Sequence, residues 1–152
     1  MKGWKNGGPI RLADLKGKVV VLDFWNYGCE PCLLEMPKLM GLHERYSNQG
    51  LVVIGIHADM VESVKEMDEK LAKPKDKYWN GHDIPFVVAL DGGGRTEIVG
   101  TKRTTRGATT AAYGVLNFPT TILINKDGVV LGELTLDNDG YEQRIEALLK
   151  ER

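Results

Sequence analysis

Cysteine is scarce in this chain. Of 152 residues only two are cysteine, Cys29 and Cys32. A pair that closes a loop of four residues restrains an unfolded chain very little. A chain of this length also buries a core without staples. The pair is therefore no disulfide framework, and it reads as chemistry. Net charge is equally scarce: 20 basic residues against 21 acidic ones leave −1. That excludes a general electrostatic attraction to nucleic acid or to a membrane. No apolar run approaches the ~18 residues that span a bilayer, so this segment is not expected to insert in one. The opening Met1-Lys2-Gly3-Trp4-Lys5 lacks the apolar centre of a signal peptide; a trimmed leader or anchor would leave the same start. Repeats and low-complexity tracts are missing too.

What is present is an ordinary globular balance, 42% hydrophobic and 27% charged, sized for one domain. Val19 to Trp25 is a short apolar run between Gly17 and Asn26-Tyr27-Gly28, and it predicts a buried strand. Pro31 suits the first turn of a helix, where its missing N–H costs nothing. Leu33, Met36, Leu39, Met40 and Leu42 continue at helical spacing, with Pro37 expected to kink the helix. Leu51–Ile56 predicts a second buried strand, Val61–Leu71 a helix, Phe86–Leu90 a third strand and Thr120–Ile124 a fourth. Asn125-Lys126-Asp127-Gly128 is a hairpin turn that returns through Val129–Leu134. Tyr141–Lys150 predicts a closing helix. Pro9–Leu12 is expected to add a small edge strand. The order implies an α/β domain with a mixed central sheet.

Residues 91–110 do not fit this alternation. They carry Gly92-Gly93-Gly94, then Lys102, Arg103 and Arg106. Two readings stay open: a solvated loop or hairpin, or a contact surface for an acidic partner or substrate.

Cys29-Glu30-Pro31-Cys32 falls between a strand and a helix. The free N–H groups and partial positive charge of a helix start stabilise a thiolate, so Cys29 is expected to ionise easily. A thiolate is the species that attacks disulfides, and a second cysteine one turn on can release the mixed disulfide. Zinc would need two further ligands. His43 lies eleven residues beyond Cys32 on the same helix, roughly 16 Å away at ~1.5 Å per residue. His57 and His82 stand at no ligand spacing. No metal and no cofactor are expected.

The run Val21-Leu22-Asp23-Phe24-Trp25-Asn26-Tyr27-Gly28-Cys29-Glu30-Pro31-Cys32 resembles thioredoxins. The continuation Leu33-Leu34-Glu35-Met36-Pro37 resembles the TlpA/ResA branch of bacterial thiol–disulfide oxidoreductases. So do Gly8 to Lys18, Tyr113-Gly114-Val115 and Phe118-Pro119-Thr120-Thr121. The likeness covers nearly the whole chain and is weakest over 92–110. It implies a single thioredoxin-fold domain over 1–152, with an N-terminal extension (1–17) and a loop insertion (91–110).

The resemblance further implies site roles. Cys29 attacks and Cys32 resolves. Asp23 matches the buried acid of thioredoxin, a proton acceptor for the resolving cysteine. Glu35 matches a second acid, and the two could couple. Pro119 matches the family's cis-proline, beside which Phe118 would pair with a substrate strand. Trp25 packs by the site, and Glu30 and Pro31 tune its redox poise. One departure stands out: Gly28 replaces the tryptophan that usually precedes the first cysteine.

The implied activity is reduction of protein disulfides, with re-reduction by an upstream partner, outside the cytoplasm. One cysteine pair and no evident apolar patch make a monomer the default. Other readings are a copper-delivery or non-catalytic module on the same fold, or a redox domain of a larger protein. Copper-chaperone relatives space their cysteines Cys-x-x-x-Cys, unlike this chain. Peroxide reductases place a threonine where this chain has Asn26.

Overall fold

A computed structural model describes residues 1–137 and 139–152. Its strands are β1 (Gly3–Lys5), β2 (Val19–Trp25), β3 (Leu51–His57), β4 (Val87–Leu90), β5 (Arg95–Glu97), β6 (Thr104–Arg106), β7 (Thr120–Ile124) and β8 (Val130–Glu133). Its helices are α1 (Glu30–Tyr46), α2 (Val64–Tyr78), α3 (Ala108–Ala112) and α4 (Tyr141–Lys150). Six strands form one sheet in the order β1-β4-β3-β2-β7-β8. The centre, β4-β3-β2, is parallel; β1, β7 and β8 run antiparallel to their neighbours. This is the thioredoxin-like α/β fold with a mixed sheet.

β2 is buried along its whole length, so its two faces build two cores, as strand alternation requires. Val19, Val21 and Trp25 pack with Cys32, Leu33, Met36 and Leu39 of α1, and with Met67, Leu71 and Ile145 of α2 and α4. Val20, Leu22 and Phe24 pack on the opposite face with Ile54, Ile56, Val115 and Ile122. Asp23 has the parity of Val21 and Trp25, so its carboxyl lies on the face covered by α1. That parity sets the position of the site.

Two expectations need correction. The edge strand is Gly3–Lys5 and not Pro9–Leu12; Leu12–Leu15 forms a 3₁₀ turn. Pro9 has no N–H for a ladder, while Gly3–Lys5 registers against Val88–Leu90 and Lys5 reaches Asp68 and Asp83. α2 starts at Val64 instead of Val61, because Ser63 caps it by accepting the Glu66 N–H at 3.1 Å. It also runs on past Leu71 and through Pro74 to Tyr78. Its last two turns carry mostly lysine and aspartate, so they show no apolar period. α1 spans Glu30–Tyr46 with Pro37 inside it.

Candidate active site at the start of the first long helix

β2 ends at Trp25, and three residues turn the chain into α1. Asn26 shapes that turn twice. Its side-chain Oδ1 accepts the Gly28 N–H at 3.0 Å, and its carbonyl accepts the Cys29 N–H at 3.3 Å. Cys29 is the N-cap of α1, with Pro31 in the first turn. Its Sγ accepts the Cys32 N–H at 3.2 Å, so the sulfur occupies the site that a helix start offers an anion. Cys29 and Cys32 are joined as a disulfide with Cα atoms 5.3 Å apart. Cys29 is half-buried and Cys32 only 1% exposed, so an incoming sulfur meets Cys29 first.

Asp23 is buried opposite Thr121, whose hydroxyl donates to Oδ1 at 3.1 Å. Oδ2 has no partner among the described residues. Burial pushes this carboxyl up to about 7; the Thr121 bond opposes the rise, and the charge of Glu35 adds to it. Glu35, half-buried on α1, is itself held above the usual carboxylate range by burial and then by Asp137, with Lys38 pulling the other way.

Comparison with known proteins assigns the chain to a family. The profile of the AhpC/TSA family matches residues 2–132. The chain belongs to the AhpC/TSA family. Within it, this family member is 37% identical over 145 residues to the thiol–disulfide oxidoreductase ResA of Bacillus cereus, covering 91% of this chain and 70% of that protein. To a ResA of Bacillus thuringiensis it is 34% identical over 145 residues, covering 95% and 69%. A crystal structure of a thiol-disulfide isomerase from Corynebacterium glutamicum superposes with a TM-score of 0.72 at 23% identity, over 99% of this chain and 92% of that one; this likeness concerns the fold. The relatives make this AhpC/TSA member a thiol–disulfide oxidoreductase of the ResA type.

The other expected residues lie at differing depth. Trp25 is fully buried, and its indole Nε1 has no partner among the described residues. A side chain at Gly55 would bring a Cβ within 3.0 Å of that nitrogen, so the glycine leaves room for the ring. Glu30 is exposed and accepts the Tyr78 hydroxyl at 2.7 Å. Beside it, the Trp79 indole donates to the Leu33 carbonyl at 2.9 Å, so the end of α2 braces the first turn of α1. Pro31 is exposed. The Phe118–Pro119 peptide bond is cis. Pro119 directly precedes β7, whose Thr120 registers with Phe24, so it stands at the end of the sheet where β2 delivers the cysteines. Phe118 packs against both cores. An apolar groove of about 680 Å³ runs along α1 past Pro37, Met40 and Gly41 to Trp79 and Pro85. Neither cysteine lines it, and exchange with a disulfide on a protein surface needs no enclosed pocket.

The residue that sequence reading passed over is His57. It is wholly buried at the end of β3, in register with Trp25. Its Nε2 accepts the Tyr27 N–H at 3.0 Å, and its Nδ1 lies 2.7 Å from the Ala58 carbonyl. A carbonyl only accepts, so the ring is the Nδ1–H tautomer with its Nε2 lone pair on Tyr27. The Tyr27 ring stacks on the imidazole at 5.8 Å, with Lys70 Nζ 5.7 Å from its centroid on α2. Burial pushes His57 down to about 4, so it stays neutral as an acceptor. The one signal in the sequence is a lone polar ring closing an apolar strand.

Proposed function

We propose that this chain reduces disulfides in protein substrates through a mixed disulfide between Cys29 and the client. The observation that carries this reading is the contrast between the two sulfurs: one reachable at a helix start, the other buried against the face that holds Asp23. In the reduced enzyme the Cys29 thiolate attacks one client sulfur. A new S–S bond forms, the client's S–S bond breaks, and a client thiolate leaves. Asp23 accepts the proton of Cys32, with Glu35 as the second acid near it. The Cys32 thiolate then attacks Cys29 Sγ, and the second client sulfur leaves and takes up a proton. Two electrons have passed to the client, and the pair ends oxidised. A dithiol protein partner restores it by the reverse exchange.

Phe118 and Pro119 form the wall for the client strand, Trp25 supports the site from within, and Glu30 and Pro31 tune the potential. We assign the enzyme to an extracytoplasmic compartment on the strength of the ResA likeness, and take it as a monomer that needs no cofactor. The test is the reduction potential of the pair in glutathione and dithiothreitol buffers, followed by insulin reduction. A value near −270 mV, on the order of thioredoxin's, supports a reductant; one near −120 mV makes the chain an oxidant. Failure to equilibrate at all removes the enzyme reading.

A further inference from the structure

Residues 91–107, which the chemistry above does not use, form a hairpin locked to the active-site end of the sheet. Asp91, buried after β4, accepts N–H groups from Gly92 at 2.9 Å, Thr109 at 3.2 Å and Thr110 at 2.7 Å, and the Thr110 hydroxyl at 2.7 Å. Asp59, just past β3, accepts the Gly94 N–H at 2.6 Å and donates its own N–H to the Arg106 carbonyl at 3.1 Å. Its neighbour Ala58 donates to the Trp25 carbonyl at 2.9 Å. Both legs of the hairpin are thus tied beside the strand end from which the loop to Cys29 departs.

The register of the hairpin sorts its side chains. Thr96 pairs with Thr105, and these face inward, half-buried and buried. On the outer face Arg95 stands directly opposite Arg106, and Glu97 opposite Thr104. Lys102 and Arg103 follow at the turn, and all four cations are exposed. Like charges directly opposite destabilise a strand pair. Among the described residues none of the four is in an ion pair. Residues 95–106 carry +3 while the rest of the chain carries −4, for a total of −1. This positive charge is local, fixed in position and opposed to the balance of the chain.

We infer that the outer face of the β5–β6 hairpin docks an acidic segment of the client protein next to the disulfide being exchanged. The inference rests on the reading that the chain exchanges disulfides with proteins. It favours a protein over a lipid surface because Val99 is the one large apolar side chain exposed on the hairpin, and interfacial insertion needs a broader apolar face.

The experiment compares stopped-flow reduction of two disulfide peptides that differ only in glutamate or lysine flanks, with neutral hydroxyethyl disulfide as a third substrate. The native chain is set against Arg95→Glu/Arg103→Glu and the milder Arg95→Gln/Arg103→Gln. At low ionic strength the native chain should prefer the acidic peptide by about tenfold. The preference should fade by about 0.5 M salt, shrink in the Gln pair and invert in the Glu pair, with hydroxyethyl disulfide rates unchanged. Equal rates for both peptides, or an acidic preference surviving both double variants, overturns the docking face. Binding to phosphatidylglycerol vesicles that the variants lose, without any flank preference, overturns it in favour of a membrane contact. Failure to reduce hydroxyethyl disulfide is instead a failure of the oxidoreductase reading.

Discussion

Thr121 stands directly across from Asp23 in the β2–β7 register and donates its hydroxyl hydrogen to Oδ1 at 3.1 Å. The bond favours the charged carboxylate, while burial and then Glu35 disfavour it, and the balance leaves Asp23 at about 7. A group poised there exchanges protons near neutral pH. Asp23→Asn is expected to slow resolution of the mixed disulfide by on the order of 10²-fold, with the first attack by Cys29 little changed. Thr121→Val should move the inflection of the resolution rate to higher pH. Rapid-quench trapping of the mixed disulfide across pH 5–9 measures both steps. A resolution rate that Asp23→Asn leaves untouched removes Asp23 from the proton path.

Asp23 and His57 make opposite demands on stability. The Asp23 carboxyl is raised from 3.8 to about 7, so between those values the folded chain holds more protons than the unfolded one, and stability falls as pH rises. His57 is lowered from 6.5 to about 4, chiefly by burial, so in that window the folded chain holds fewer protons and stability rises with pH. The two slopes, each up to ~1.4 kcal/mol per pH unit, oppose one another between pH 4 and 6.5. Relative to the native chain, Asp23→Asn should therefore tilt stability upward with pH across this window. His57→Asn, which keeps an acceptor near Tyr27, should tilt it downward. Urea titrations at pH 4, 5, 6 and 7 read the tilt, and parallel curves for all three proteins contradict it.

The cysteine pair was legible because its determinants are local: an apolar run, an Asn-Tyr-Gly turn, and a proline where a helix begins. Thr120–Ile124 and Tyr141–Lys150 were legible to the residue for the same reason, each having clear periodicity and sharp ends. His57 was not, because its importance comes from lateral register with Trp25 and from a hydrogen bond 30 residues back along the chain. The β5–β6 hairpin was legible only as one of the readings left open for residues 91–110, without its strands. Its three-residue strands hold arginine, glutamate and threonine with no apolar alternation, and what fixes them is Asp59 and Asp91 from outside. The edge strand Gly3–Lys5 is too short to carry a pattern at all.

Gly107 makes the anchoring of the hairpin testable. Its φ is +128°, a region that side chains avoid, and a Cβ would fall 2.1 Å from Asp91 Oδ2. Gly107→Ala must displace the carboxylate that holds Thr109 and Thr110, so strain and lost hydrogen bonds both count. A loss of about 2–4 kcal/mol follows. Proteolytic cleavage within 92–107 should appear well before global unfolding. Unchanged melting and an intact hairpin under protease would mean that Asp91 is not the anchor.

Gly28→Trp restores the aromatic residue that thioredoxin relatives place before the first cysteine. Here the glycine is not held by its conformation: its φ lies outside the left-handed region, and a Cβ would meet only Asn26 Oδ1, at 3.5 Å. The position is exposed, so the ring enters solvent and not the core. Stability should change by less than ~0.5 kcal/mol. The indole would cover one approach to Cys29, an obstacle to a folded client but not to a small disulfide. KM for a protein disulfide should rise severalfold while turnover of hydroxyethyl disulfide stays constant. If the protein and the small disulfide slow equally, the ring acts on the chemistry of Cys29 itself. The open wall beside Gly28 would then have no part in admitting clients.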